Sequence, residues 1–323
     1  MLKPEWQPSA SLKTLKARAT LLATIRTFFA NRKVLEVETP TCSICANIDH
    51  TIESLQTRFI GPGYPNGVEL YLHTSPEYHM KRLLAADSGS IYQICHAYRD
   101  GERGCLHQPE FSMLEWYRLD FNHHQLMDEV ASLINAVAPQ IVPQQRFSYA
   151  ELFEHYLELD PHSSDLNTLR ATAIALGIFT EDMPDLCEVD MWLDLLLSLY
   201  IVPRLPPNQM TFVYDYPALQ ASMAQVCPDN PLVAERFELY LGNMELANGF
   251  HELRDPTEQT NRFKVSERLR ITRNQPSIPA DHNLIEALEA GLPDCSGVAI
   301  GLDRLLMWLI GARHIDEVLA FPL

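Results

Sequence analysis

From Asn122 to about Tyr200 the chain reads as a block of helices, and strands lie on both sides of that block. Ala- and Leu-rich segments at His124–Val137, Tyr149–Leu157, Leu166–Leu176 and Met191–Tyr200 are separated by Pro139, Pro143, Pro161 and Pro184. Before the block, apolar residues at Leu15, Leu21, Leu22, Ile25, Phe28 and Phe29 predict a helix over Leu12–Asn31. Strands are expected at Val34–Glu38, Ile52–Ile60, Val68–Leu72, Ile91–Arg99 and Phe111–Leu119. A helix is expected from Pro76, with Thr74 or Ser75 as its cap. After the block come strands at Thr211–Tyr214, Arg236–Leu241 and Met244–Ala247, the last two around a Gly242-Asn243 turn. Helices follow at Pro256–Asn274 and His282–Ala290, and a strand at Ser296–Gly301 runs directly into a helix at Leu302–Ile310. Strands at both ends with helices between them specify an α+β antiparallel sheet with a helical insertion at about 122–200, not a βαβ alternation.

The 323 residues carry 25 Lys and Arg against 42 Asp and Glu, a formal charge of 25 − 42 = −17. That balance argues against a non-specific nucleic-acid coat while leaving room for a local basic groove. Seven scattered cysteines are odd in number and too sparse for a secreted disulfide framework. Cys42 and Cys45 form a lone C-x-x-C without a second pair or a nearby histidine, and are expected to be two buried thiols. The first 22 residues mix Lys3, Glu5, Lys13, Lys16 and Arg18 among apolar residues, unlike a signal peptide. The most apolar run, Met191–Leu205, is broken by Asp194, Pro203 and Arg204 and reads as a buried helix, too short to span a bilayer. A cytoplasmic protein without a membrane segment is expected.

Three segments bear chemistry. Gly297-Val-Ala-Ile-Gly301-Leu-Asp303-Arg304 puts small residues on one strand face and a guanidinium in the first turn of the next helix, where anions are favoured. Tyr98-Arg99-Asp100-Gly101-Glu102 leads through a polar loop to His107-Gln108-Pro109-Glu110-Phe111, placing an arginine and an aromatic ring at adjoining strand ends. Beyond it, Glu115 and Tyr117 are two apart and share a sheet face, where a carboxylate needs a partner. Glu238, Glu245 and Glu252 recur every seven residues, and the first two flank the Gly242-Asn243 turn. Carboxylates that meet across a hairpin suit a hard cation such as Mg²⁺ that bridges to phosphates.

In chain order, "RKVLEVETP", "TSPEYHMKRLL", "HQPEFSMLEWY", "ERFELYLGNMELANGFHEL" and "GVAIGLDRL" resemble the motifs of class II aminoacyl-tRNA synthetases, closest to the lysyl branch. The resemblance runs from about Arg18 to Ile310. The helix resembling the first motif begins within the first 20 residues, which leaves no room for the anticodon-reading domain of lysyl-tRNA synthetases. The expectation is a single catalytic domain over 1–323 without an anticodon-binding domain. It resembles the free-standing lysyl-synthetase paralogues that ligate (R)-β-lysine to elongation factor P.

The resemblance implies roles for individual residues. Arg99 and Arg304 would be the catalytic arginines, holding the α-phosphate with the substrate carboxylate and the γ-phosphate respectively. ATP would be bound by Arg99, Asp100, Gly101, Glu102, His107, Gln108, Phe111, Glu245, Leu246, Gly301 and Arg304, with Phe111 stacking on adenine. Glu238 and Glu245 would hold Mg²⁺. The amino-acid pocket would comprise Ser75, Pro76, Glu77, Glu115, Tyr117, Asn248, Glu252 and Ala299. Within it Glu77 meets the near amino group, and Glu115, Tyr117 and Glu252 meet the distal ammonium. Lysyl-tRNA synthetases usually have glycine where Ala299 stands, so the extra methyl should bias the pocket away from α-lysine. Two places depart from the pattern: Gly101 replaces a glutamate, and Gln108 replaces an asparagine. The adenine amino contact then passes to Glu102 or to backbone around Gly101.

The implied reaction is two-step acyl transfer through an acyl-adenylate to a lysine amine of elongation factor P, by a homodimer built on the first-motif helix and Pro40. A minimal lysyl-tRNA synthetase using α-lysine and tRNA is the nearest alternative; the charge of −17 counts against tRNA as a partner. A non-catalytic regulatory paralogue is the alternative of another class. It is opposed by the presence of Arg99, Arg304 and all three glutamates.

Overall fold

The computed structural model describes residues 6–180, 182–184 and 186–323. Up to Asp120 the chain forms α1 (Leu12–Asn31), β1 (Leu35–Glu36), β2 (Cys42–Ser43), β3 (Gln56–Gly61), β4 (Tyr64–Leu72), α2 (Glu77–Ala85), β5 (Ile91–Tyr98) and β6 (Glu110–Leu119). The middle stretch forms α3 (His123–Val137), β7 (Gln144–Ser148), α4 (Tyr149–Leu157), α5 (Leu166–Ala175), α6 (Val189–Leu196), β8 (Met210–Pro217), β9 (Val233–Leu241) and β10 (Met244–His251). The last stretch forms α7 (Pro256–Thr272), α8 (His282–Gly291), β11 (Cys295–Gly301) and α9 (Leu302–Ile310). The chain divides into two compact units: the stretch up to Asp120 together with Arg254–Leu323, and Phe121–Leu253.

In the first unit four strands run in the order β1-β5-β6-β11, and β2-β4-β3 form a separate small sheet. β5, β6 and β11 are antiparallel, whereas β1 pairs parallel to β5. Helix α1 starts where Ser11 Oγ accepts the Thr14 amide at 3.1 Å. It buries Leu21, Ile25, Phe28 and Phe29, which lie along one face at helical spacing. Phe29 stacks on Tyr92 at 4.4 Å between ring centroids and meets Trp116 edge-on at 5.3 Å. Full burial of such a ring contributes about 1.5–3 kcal/mol, and it fixes α1 to one face of β5 and β6. The other face is covered by α2 and α8, where Met80 and Leu84 pack with Leu288, Leu292, Ile91 and Tyr117.

In the second unit the strand order is β10-β9-β8-β7, antiparallel except for the parallel β7–β8 pair. The antiparallel expectation therefore holds for the inner pairs, and β1 and β7 depart from it. Helices α3 and α4 both begin in capping boxes, Asn122 with Gln125 and Ser148 with Glu151. Tyr149 and Phe153 of α4 pack with Trp192, Leu193, Leu196 and Ile201 to build the core between α4 and α6. Of the run Met191–Leu205, one face (Trp192, Leu193, Leu196, Leu197, Ile201, Val202 and Leu205) lies in this core, while Leu199 stands exposed. Gly242 turns β9 into β10 at φ +61°, and a side chain there would meet the Pro207 backbone at 3.1 Å, so glycine is demanded twice over.

The C-x-x-C reading is corrected. Cys42 is exposed on the short edge strand β2 and Cys45 is half-buried; both thiols are free. Two-residue edge strands bury little, which is why neither sulfur reaches the core. Among the described residues, no helix is long and apolar enough to cross a membrane.

Candidate active site

In the first unit the sheet register sets one row of residues. Glu115 on β6 lies opposite Gln93 on β5 and Ala299 on β11, and Tyr117 lies opposite Gly297. Partners in register share a face, so Gly297, Ala299 and Gly301 flank Glu115 and Tyr117 with almost no side-chain bulk. The Tyr117 hydroxyl donates to Glu115 Oε1 at 2.7 Å, and the two residues are 2% and 3% exposed. A carboxylate this deep is held charged only by donors or a cation. Burial and the charge of Glu115 together push the nearby Cys95 thiol up to about 12, so it is inert.

Ser75, Pro76 and Glu77 lead into α2 on this same face. The expected cap is corrected: α2 starts at Glu77 with Pro76 as its N-cap and no side-chain cap, and Ser75 Oγ only accepts the Glu77 amide at 3.4 Å from outside the helix. Glu77 accepts from Lys81 Nζ at 2.7 Å, and the Lys81 side chain is 1% exposed. That i, i+4 pair was present in the sequence as spacing but carried no chemical signal of its own.

The loop between β5 and β6 is tied at both ends. The Arg99 amide donates to Pro109 O at 2.9 Å, the Asp100 amide to Glu53 O at 2.8 Å, and Gly104 and His107 bond each other's backbones. Gly101 sits at φ +76° with open space around its Cα, and its amide is 2.9 Å from Asp100 Oδ1. The Arg99 guanidinium carbon lies 5.2 Å from the Phe111 ring centroid, within cation–π range, and its Nη1 lies 3.7 Å from Glu102 Oε1. Phe111, Arg99 and Glu102 thus form one cluster. Gln108 is turned elsewhere: it is 4% exposed, its Nε2 donates to Asp316 Oδ1 at 2.9 Å, and its Oε1 accepts the Leu323 amide at 3.4 Å.

Arg304, in the first turn of α9, donates through Nη2 to His107 Nε2 at 2.6 Å. Burial and the Arg304 charge hold His107 below its ordinary pKa, so the imidazole is neutral with its proton on Nδ1. Next to it Asp303, 2% exposed, accepts the Ser112 amide at 2.7 Å and Arg18 Nη2 at 2.5 Å. One carboxylate therefore joins α1, the strand β6 that carries Phe111 and the helix that carries Arg304. Sequence reading missed Asp303 and Arg18, because their separation along the chain hides the contact.

The second unit holds the glutamates. On the β9–β10 hairpin Glu238 lies opposite Asn248, and Glu245 lies opposite Tyr240; an irregularity follows at Leu246. Glu238 and Glu245 are on one face, offset by a residue pair with Tyr240 between them, rather than directly opposed. Glu238 accepts from Arg236 Nη2 at 2.5 Å, Tyr216 OH at 2.7 Å and Tyr240 OH at 2.5 Å. Arg236 also donates to Asn248 Oδ1 at 3.2 Å, so it organises both residues. Arg236 was legible only as a residue two before Glu238, on the same strand face. Three donors leave about one of the four lone-pair positions of the Glu238 carboxylate, and the Glu245 side chain is exposed. That donor set fits a hard dication carried with phosphates. Leu246 and Glu252 are buried, the latter 1% exposed where it bridges to Ala224.

Known proteins are similar to this chain along its length. A family model described as tRNA synthetases class II (D, K and N) matches residues 6–323. A Vibrio cholerae protein named elongation factor P–(R)-β-lysine ligase is 48% identical over 322 residues, covering 100% of this chain and 99% of that relative. Proteins of the same name from Vibrio parahaemolyticus (47% identical, 99% of both chains) and Salmonella typhimurium (48%, covering 98% of this chain and 97% of the relative) are similar along the same length.

Proposed function

The chain belongs to the class II tRNA synthetases of the D, K and N group, and we propose that it activates (R)-β-lysine with ATP and transfers it to a lysine side chain of elongation factor P. The observation that carries this reading is the buried Glu115–Tyr117 pair beside Ala299. A buried carboxylate at the floor of a small-residue face favours a substrate whose distal ammonium brings a charged donor to it. The Ala299 methyl narrows that face relative to glycine.

In the first step the substrate carboxylate attacks the α-phosphorus of ATP, its C–O oxygen forming the new P–O bond as pyrophosphate leaves. Arg99 binds charge at the reacting phosphorus and Arg304 the departing phosphates, each as a bidentate donor. Phe111 supplies a stacking face for adenine. Glu77 meets the near amino group; Glu115 and Tyr117 take the distal ammonium, and the same role is assigned to Glu252. Glu245 and the remaining position of Glu238 would hold Mg²⁺, which when bound neutralises charge on the phosphates. In the second step the neutral acceptor amine displaces AMP from the acyl carbon and loses a proton.

We also infer a cytoplasmic homodimer through α1 and β1, supported by Leu35 standing 55% exposed on the edge strand. Light scattering at the mass of two chains tests it. The activity test is ATP–pyrophosphate exchange dependent on (R)-β-lysine.

A further inference from the structure

We infer that His123, His124 and Asp215 form a binding site for a first-row transition-metal dication of the zinc type, outside the residues of the ligase reaction. One ligand atom from each lies within 4.8 Å of the others. His123 Nε2 is 3.2 Å from Asp215 Oδ1, and the two imidazole rings lie side by side with centroids 4.1 Å apart at 35°. His123 is 5% exposed, and its Nδ1 has no hydrogen-bond partner. A simple His–Asp pair accounts for one nitrogen of one ring. It leaves the buried Nδ1 of His123 without a partner and uses neither nitrogen of His124, whose ring meets Tyr214 edge-on at 5.1 Å.

The backbone is shaped for this convergence. Asp215 sits at the irregularity of β8 between Tyr214 and Tyr216, with φ +56°, a left-handed conformation that aspartate adopts only at a cost. That kink turns its carboxylate towards the start of α3. Two imidazoles and a carboxylate suit zinc and its neighbours and are a poor set for Mg²⁺ or Ca²⁺. Four-coordinate zinc with bonds of about 2.0–2.1 Å holds its ligand atoms roughly 3.3 Å apart, so small side-chain rotations close the site. His124 is exposed, which gives the ion a route in and room for water as a further ligand.

Neighbouring charges permit a cation. The helix N-terminus contributes roughly half a positive charge against it, and Arg146 contributes another positive group. Asp215 opposes the first directly, and Arg146 is tied to Asp128 at 2.6 Å. Glu235, bonded to Gln225 and His251, adds negative charge from the next strand. A bound ion would fasten the start of α3 to the kink in β8, which stabilises the second unit by mass action.

The test uses full-length protein stripped with chelator and dialysed against Zn²⁺, comparing wild type with Asp215→Asn and His124→Ala. The proposal expects one more equivalent of zinc in wild type than in either variant. It also expects a zinc-dependent rise in melting temperature that both variants lose, and a Co²⁺ spectrum without thiolate charge-transfer bands. Retained pyrophosphate exchange certifies that the variants are folded; if His124→Ala loses it, Asp215→Asn decides. Equal zinc in wild type and variants, no zinc in wild type, or thiolate bands from the exposed Cys42, Cys105 or Cys187 would overturn the site.

Discussion

Tyr117 donates its hydroxyl hydrogen to Glu115 across 2.7 Å, two residues along the same strand, with both side chains out of reach of bulk water. The tyrosine ring is clamped under α2 and α8, so its oxygen is held still against the carboxylate. Tyr117→Phe keeps the ring and removes the donor. A hydrogen bond to a charged group is worth about 1.5–3 kcal/mol, so the KM for (R)-β-lysine should rise about 10- to 100-fold while the KM for ATP stays within about twofold. Equal changes in both would show that the pair is structural only.

Ala299 faces Glu115 in register. Ala299→Gly opens one methyl's worth of space on that face. A methylene-sized difference is worth about 1–3 kcal/mol of discrimination, so the ratio of kcat/KM for α-lysine over (R)-β-lysine should rise about tenfold or more. An unchanged ratio would remove Ala299 from the specificity argument.

Arg304 donates to His107 Nε2, which must be unprotonated to accept. The folded pKa of His107 lies below its ordinary 6.5, because of burial first and Arg304 second. The sign follows from linkage: the folded state resists protonation, so its stability is complete above about 6.5 and falls as pH drops towards the lowered value. His73, held down by burial, adds to the same trend. The melting temperature should therefore fall between pH 7 and 5, and His107→Asn should shrink that fall. A variant with the wild-type slope would exclude His107 from the effect.

Asp303→Asn tests the junction of α1, β6 and α9. The Arg18 side chain is 19% exposed, so part of the charge cost is screened and about 2–3 kcal/mol of unfolding free energy should be lost in urea. The KM for ATP should rise as well, since the Ser112 amide anchors the strand beside Phe111. Loss of stability with unchanged ATP kinetics would confine Asp303 to a structural part.

Much of the fold was legible where a period was sustained and ended by a cap. Leu12–Asn31, Tyr149–Leu157 and Leu302–Ile310 have the bounds their apolar spacing and flanking residues dictate. What was lost is what pairing at a distance decides. β7 is short, polar and half-buried, and it becomes a strand only because β8 offers it a parallel edge. Register also lies beyond local pattern: the spacing of seven between Glu238 and Glu245 places both on the hairpin, and the Gly242-Asn243 turn sets Tyr240 opposite Glu245, but the irregularity at Leu246 decides that Asn248 rather than Ala247 faces Glu238. The small-residue strand and the Glu115–Tyr117 alternation were readable because period two alone puts them on one face. The partners of Gln108 and Asp303 were not, since each depends on a residue brought in by tertiary folding; of the Glu238 donors only Tyr216 comes from another strand, while Arg236 and Tyr240 stand two residues away on its own face.

The central claim is that this chain makes an adenylate of (R)-β-lysine. Amino-acid-dependent exchange of labelled pyrophosphate into ATP, run side by side with (R)-β-lysine and α-lysine, measures that step without the acceptor protein. The account predicts strong exchange with (R)-β-lysine, weak exchange with α-lysine, and none after Arg99→Ala. Equal or better exchange with α-lysine would contradict it and favour a tRNA-type ligase, and no exchange with either would contradict the catalytic reading itself.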